Sequence, residues 1–213
     1  MNSIRCIFLF IVLPLAALSC GGGDTVSPRA LKLFQRGKEA FLKKELTPAS
    51  ALFQSAVNDS SGFANAWVML GKTRFFLKDT KGAEKALNKA VSIAPSHVEA
   101  RYYLSRLYLL QNNQAKAVRS LQEILWVDPD NARANYSLGS LYARSRKLKE
   151  AFHYFNAALR EESMMARIRY TYADQLYQAG LKNRARKILT PALSYPVHPT
   201  LKEEIKRLLE KLK

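Results

Sequence analysis

Small and apolar residues recur along this chain with a period of 34. Alanine stands at Ala49, Ala83, Ala117, Ala151 and Ala185. In the same frame small residues fall at Gly37, Gly71, Ser105, Gly139 and Ala173, and bulky apolar ones at Phe53, Leu87, Leu121, Phe155 and Leu189. Three residues beyond the bulky column lies a further one, Ala56, Ala90, Ile124, Ala158 and Ala192. Spacings of three and four residues put these positions on one face of a helix, so the second half of each repeat is helical.

The first half reads the same way. Trp67, Leu70, Gly71 and Phe75 share one helical face, as do Leu104, Ser105 and Tyr108 in the next repeat. Each repeat is therefore a helical hairpin. Small residues are needed where its two helices cross, because a larger side chain there would force the axes beyond their usual ~8 to 10 Å. The larger Phe and Leu residues are expected to fill the space between successive hairpins. Pro95 and Pro129 stand at equivalent places after the second helix, where fixed φ and a missing N–H stop it. Pro191 falls inside the last second helix and predicts a bend near Thr190.

Trp67, Leu70 and Gly71, followed by Ala83, Leu87, Ala90 and Pro95, resemble the tetratricopeptide repeat. The likeness covers residues 30–63, 64–97, 98–131, 132–165 and 166–199 without insertion. It implies an all-α fold: five tandem hairpins forming a right-handed α-solenoid. The sequence departs from the pattern in the Trp column, which reads Leu33, Trp67, Arg101, Asn135 and Arg169, and at Arg36, where the later repeats have Leu or Tyr. Terminal repeats of such arrays are commonly atypical.

Beyond the fifth repeat, residues 200–213 read as a C-terminal capping helix. Thr200 and Glu203 have capping-box spacing, and Leu201, Ile205, Leu208, Leu209 and Leu212 make one apolar face. A closing helix keeps the last core face out of water. The same pattern also suits an amphipathic helix that meets a membrane or a partner.

At the amino terminus, Arg5 precedes an apolar run from Cys6 to Leu18 broken only by Pro14. Such a run has the length of a secretory h-region and falls short of the ~20 residues of a spanning helix. Ala17, Leu18, Ser19 and Cys20, followed by three glycines, resemble the lipobox of bacterial lipoproteins, although Leu is commoner where Ala17 stands. The resemblance implies a signal peptide over 1–19, lipidation at Cys20, a flexible tether over 20–29 and residence in the bacterial cell envelope, with the outer membrane favoured. An ordinary cleaved signal is the alternative. With Cys6 gone, Cys20 is the one remaining cysteine, so no intramolecular disulfide is expected.

The whole chain carries 34 Lys and Arg against 17 Asp and Glu. A secreted chain of this charge, without a nucleic-acid-binding motif, points to anionic lipid, cell-wall polymer or acidic protein segments, or to solubility alone, and no nucleic-acid partner is expected.

In tetratricopeptide proteins the first helices line a concave groove. Carried over by column, the resemblance places Phe34, Val68, Tyr102, Tyr136 and Tyr170 there. Lys38, Lys72, Arg106, Ser140 and Asp174 come one turn later, and Leu31, Asn65, Glu99, Arg133 and Arg167 one turn earlier. The candidate peptide-binding residues are Phe34, Lys38, Lys72, Tyr102, Arg106, Arg133, Tyr136, Arg167 and Tyr170, an aromatic and mostly basic surface for a partner with acidic and apolar side chains. The bland reading is that the tyrosines pack between repeats. The Lys-then-Asn carboxylate clamp of some tetratricopeptide co-chaperones is not matched.

No Gly-rich phosphate loop, Gly-x-Ser-x-Gly turn or His-Glu-x-x-His helix occurs, and His97, His153 and His198 lie in separate segments. No catalytic residue, metal site or cofactor is expected. The sequence thus predicts a non-catalytic protein-interaction scaffold held by lipid on an envelope membrane, serving assembly of an outer-membrane or surface complex. In architecture it resembles pilotins and the lipoproteins of the outer-membrane protein insertion machine. The alternative is a charge-driven binder of anionic cell-wall or lipid polymer.

Overall fold

Gly71 shows why this sequence folds as it does. A Cβ placed on it would lie 2.5 Å from Leu87 Cγ, and one on Gly37 or Gly139 would lie 2.7 Å from the ring of Phe53 or Phe155. Each small residue of the first helix therefore receives the bulky residue sixteen positions later, in its own hairpin. The bulky column fills the crossing inside each hairpin as well as the space between hairpins: Phe155 also stacks on Tyr172 of the next repeat, 5.5 Å between centroids.

The computed structural model describes residues 25–159, 165–195 and 197–212. It forms five helical hairpins: α1 (Pro28–Leu42) with α2 (Leu46–Asp59), α3 (Ala64–Phe76) with α4 (Thr80–Ile93), α5 (Val98–Leu110) with α6 (Gln114–Val127), α7 (Ala132–Arg144) with α8 (Leu148–Ala158), and α9 (Met165–Gln178) with α10 (Lys182–Leu189). A closing helix α11 (Pro199–Lys211) follows, and no strand occurs among the described residues. The leader and Cys20 lie outside the described residues. Among those described, no helix is long and apolar enough to cross a membrane.

Successive hairpins share core. Phe53, Leu70, Leu87, Leu107, Leu121, Leu138, Phe155, Ile168 and Leu189 are fully buried, and the described core clusters draw on residues from Ala30 to Leu212. Each such side chain contributes about 1.5 to 3 kcal/mol. First helices of neighbouring hairpins lie beside one another, α1 with α3, α3 with α5 and α7 with α9, whereas among the described residues no two second helices approach to the same extent. The stack therefore curves inward on the side of the first helices.

The variable Trp column keeps one function under three identities. Trp67 Nε1 donates to the Ser61 carbonyl at 2.8 Å, Arg101 Nε to Pro95 at 2.7 Å and Asn135 Nδ2 to Pro129 at 2.9 Å. Each donor ties its helix to the carbonyl six residues earlier, in the loop that joins two repeats. In the three inner repeats the column keeps an N–H, and Arg and Asn supply it as well as Trp.

The turn between the two helices is equally regular. Lys44, Lys78, Asn112 and Arg146 all adopt the left-handed conformation, with φ of 64°, 63°, 57° and 57°, and Gly180 occupies the fifth equivalent place at 77°. In all five turns the next residue's N–H returns to a carbonyl of the first helix: Glu45 to Ala40, Asp79 to Arg74, Asn113 to Tyr108, Lys147 to Tyr142 and Leu181 to Leu176. This is the glycine-favouring helix terminus, filled here by longer side chains.

At the C-terminal end, α10 stops at Leu189 and Thr190–Ser194 form a 3-10 turn around Pro191, the expected bend. The capping box predicted at Thr200 and Glu203 does not form. Pro199 takes the first helical position with its pre-set φ, so His198 becomes the N-cap and Thr200 falls inside the helix. Thr200 instead meets His198 Nδ1 through its hydroxyl at 2.5 Å, and Glu203 pairs with Lys206 at 3.0 Å. Leu201, Ile205, Leu208 and Leu212 are buried in the same core cluster as Ala185 and Leu189 of α10.

Candidate functional site

The concave side of the first three repeats carries a cluster of rings and cations. Phe41 is the penultimate residue of α1, Phe75 and Phe76 end α3, and Tyr103 sits in α5. Their centroids form a chain: Phe41 to Phe76 at 5.9 Å, Phe76 to Phe75 at 5.6 Å, and Phe75 to Tyr103 at 5.6 Å. These distances are those of tilted and edge-to-face aromatic pairs.

Two cations cover the rings. Lys72 Nζ lies 5.4 Å from the Phe41 centroid and 5.5 Å from Tyr103, bridging the first and third repeats. Arg106 lies over Phe75 at 4.5 Å and Tyr103 at 5.5 Å. Such contacts contribute roughly 0.5 to 1 kcal/mol each at exposed sites. Lys72 is also bonded to Glu99 at 2.8 Å, which fixes the ammonium while leaving it in contact with solvent. Tyr103 is buried, Phe41 and Phe75 are half-buried and Phe76 is exposed, so the face is aromatic below and cationic above. It suits an extended chain whose apolar side chains lie on rings and whose carboxylates meet Arg106 or displace Glu99.

Of the predicted groove residues, Lys72 and Arg106 belong to this cluster. Phe34 turns into the core against Phe53 and Phe63, at 5.8 and 4.8 Å, and the exposed Lys38 lies 5.6 Å above its ring. Val68 is buried. Tyr102 is half-buried, meets Tyr103 edge-on at 5.8 Å and carries the exposed Arg133 at 5.1 Å. Tyr136 is half-buried, shares a hydrogen bond with Thr171 at 3.1 Å and lies 6.1 Å from Phe155. Arg167 pairs with Glu204 of α11 at 3.4 Å, which draws the closing helix to that end of the face. Tyr170 beside it has its phenol pushed up, first by burial and then by Glu204 and Asp174, with Arg167 opposing.

The tyrosine column is therefore partly core and partly wall. Phe41, Phe75, Phe76 and Tyr103 were not among the predicted site residues, although Phe41 and Phe75 share a column of the repeat and Phe76 follows directly. A second opening of about 520 Å³ lies between the fourth and fifth repeats, lined by Arg144, Arg146, Leu148, Gln175 and Gln178. The histidines serve local structure. His97 caps α5 through Nδ1 and bonds Asn65 at 3.0 Å, and His153 lies edge-on to Tyr154 at 5.2 Å.

No curated protein matches this chain. Solved structures match it along most of its length. TTC0263, a thermophilic TPR protein of Thermus thermophilus, is 19% identical over 85% of this chain and 99% of its own, with a TM-score of 0.65. YrrB, a TPR protein with an unusual peptide-binding site, is 19% identical over 84% and 92%, at 0.62. PilW, a widely conserved type IV pilus biogenesis factor, is 16% identical over 87% and 91%, at 0.69. At these identities the likeness is one of fold. A family profile for the cytochrome c-type biogenesis protein H TPR domain matches residues 30–161, more than half of the sequence, and this chain belongs to that family of tetratricopeptide repeat proteins.

Proposed function

We propose that this protein is a non-catalytic adaptor, anchored through lipid on Cys20 to a bacterial envelope membrane, that holds an extended peptide on its concave face during assembly of an outer-membrane or surface complex. The observation that carries the reading is Lys72 and Arg106 poised over Phe41, Phe75 and Tyr103. Rings joined to cations recognise a segment that alternates apolar and acidic side chains. The family and PilW both bear the names of biogenesis factors, and YrrB is named for a peptide-binding site, which supports an assembly role. The lipobox residues around Cys20 support the anchor.

Affinity capture from detergent-solubilised envelopes tests the binding face. The parent should retain a discrete protein partner that is lost when Lys72, Phe75 and Arg106 are all changed to Ala. Capture of nothing, or equal capture by both forms, defeats the reading. Anchoring is tested separately, by incorporation of labelled fatty acid into the full chain and its loss in Cys20→Ser.

A further inference from the structure

We propose that the edge of the solenoid formed by the turns within the hairpins docks on an anionic phospholipid surface. Leu42, Phe76 and Leu110, one residue column at the ends of α1, α3 and α5, are 78%, 43% and 63% exposed. Two residues after each comes the left-handed position, occupied by Lys44, Lys78 and Asn112, and in the fourth repeat by Arg146. Each of the first two turns thus presents an apolar side chain beside a lysine, and the fourth presents arginine at both places, Arg144 and Arg146.

These turns make one continuous edge. Phe41 meets Phe76 between the first two repeats, Gln111 bonds Glu84 at 2.9 Å between the next two, and Gln114 bonds Ser145 at 2.8 Å between the third and fourth. None of Lys44, Lys78, Arg144 or Arg146 is in an ion pair among the described residues. The left-handed conformation favours glycine, and a longer residue there costs about 1 kcal/mol. Three of the five positions hold a cation despite that cost.

The opposite edge, where each second helix leads into the next repeat, carries Asp59, Asp128 and Asp130. Its exposed Trp126 stands close in sequence to two of these acids, a setting that opposes approach to an anionic plane. The turn edge also carries exposed Glu45 and Asp79, the latter paired with Arg74 at 3.7 Å, and Asp59 opposite is paired with Arg29 at 3.7 Å. Exposed Lys43, Lys44, Lys78, Arg144, Arg146 and Lys147 nevertheless outnumber the acids of the turn edge and select it as the side that faces the membrane. Side chains at the turn tips stand apart around two openings of about 190 and 520 Å³, both lined by Arg144. These side chains meet a plane at separate points, with leucine and phenylalanine at the headgroup boundary and lysine or arginine at phosphates. Phe76 belongs to both surfaces through its contacts with Phe41 and Phe75, but the turn cations, Leu42 and Leu110 that the test changes lie outside the concave cluster, and Cys20 is not used, so the proposal is tested apart from the adaptor reading.

The described core begins at Ala30, so a chain starting at Thr25 carries the described fold without the leader or Cys20. Flotation of that chain with vesicles of equal parts phosphatidylglycerol and phosphatidylcholine, and with phosphatidylcholine alone, is the test. Binding is expected to the anionic vesicles alone. Changing Lys44, Lys78 and Arg146 together to Gly should lower partitioning about a hundredfold, from about fivefold per cation. Glycine relieves the turns, so that loss cannot arise from unfolding. Leu42→Ser with Leu110→Ser should lower it about tenfold. Changing Lys32, Lys89 and Arg207 to Gln removes the same charge elsewhere and should cost only a few-fold. Equal binding to both vesicles, no binding to either, undiminished binding of the glycine variant, or an equal loss in the Gln variant overturns the proposal.

Discussion

Asn135 Nδ2 donates to the Pro129 carbonyl at 2.9 Å and reaches the Asn131 carbonyl at 3.2 Å, while its side chain stays 2% exposed. The amide holds the loop between the third and fourth repeats against α7, as Trp67 and Arg101 hold the two loops before it. Asn135→Leu keeps the branched side-chain shape with bulkier methyl ends and removes the donor. It should lower stability by about 1 to 3 kcal/mol, because buried carbonyls lose their partner. Trp67→Phe removes the matching bond at a more exposed place and should cost about 1 kcal/mol or less for that bond. Urea unfolding of the two variants checks the order.

Gly71 is the tightest crossing. In an open helix Gly→Ala gains about 1 kcal/mol in propensity. At Gly71 the new Cβ would meet Leu87 Cγ, a branch atom that cannot swing away. The helices must separate, and overpacking of this kind costs about 1 to 3 kcal/mol. Gly71→Ala should therefore unfold at lower urea than the parent. An unchanged or higher midpoint would show that the hairpin yields without strain.

At the turns the sign reverses. Lys78 has φ of 63°, and Lys78→Gly should stabilise the protein by about 0.5 to 1 kcal/mol once the glycine's greater unfolded-state freedom is counted. At Gly180, φ is 77° and a Cβ would touch nothing within 4 Å, so Gly180→Ala isolates the conformational cost and should destabilise by about 1 kcal/mol. Calorimetry of both variants should give opposite shifts in Tm.

The period of 34 made the hairpins legible because the crossing columns tolerate few side chains: Gly37, Gly71 and Gly139 lie against Phe53, Leu87 and Phe155, and Ser105 and Ala173 are buried in the same column. The binding face was less legible. A first helix packs on its own partner and on both neighbours, so α3 is apolar nearly all round and no single stripe separates core from surface. Phe34 and Tyr102 occupy the same column, yet Phe34 joins Phe53 and Phe63 in the core and Tyr102 forms a wall beside Arg133. Phe41 and Phe75 follow the small residue by four positions, where apolar side chains read as helix interior. Thr200 misled through its spacing to Glu203, since Pro199 fixes the helix start two residues sooner than capping chemistry alone would.

Glu99 holds Lys72 at 2.8 Å, and both side chains are partly exposed, at 40% and 22%. An ion pair so placed contributes at most about 1 kcal/mol to stability. In the proposed adaptor it also competes with a partner's carboxylate for the ammonium. Glu99→Gln should leave the unfolding midpoint nearly unchanged and raise affinity for a peptide of alternating Asp and Phe several-fold, with the gain shrinking at high salt. Fluorescence titration with that peptide at two salt concentrations decides it, and equal affinities would remove Lys72 from the binding face.

Alkaline pH should weaken the solenoid through its buried and half-buried phenols. Tyr108, Tyr154 and Tyr170 are each raised above the ordinary value of 10.0, in every case chiefly by burial. Glu84 adds to the effect at Tyr108, the stacked Tyr142 at Tyr154, and Glu204 at Tyr170. A phenol whose folded pKa exceeds its unfolded one stabilises the fold fully below the unfolded value, and that contribution is lost as pH rises through the folded value. The unfolded chain releases its protons first, so unfolding is favoured progressively from about pH 10 upward. Tm should be flat in pH below that range as far as tyrosine is concerned, then decline, and tyrosinate absorbance of the folded protein should rise later than that of the urea-unfolded chain. Tyr108→Phe with Tyr154→Phe should make the decline shallower, because Phe fills the same space and has no proton to lose. A decline as steep as the parent's would exclude these two phenols as its cause.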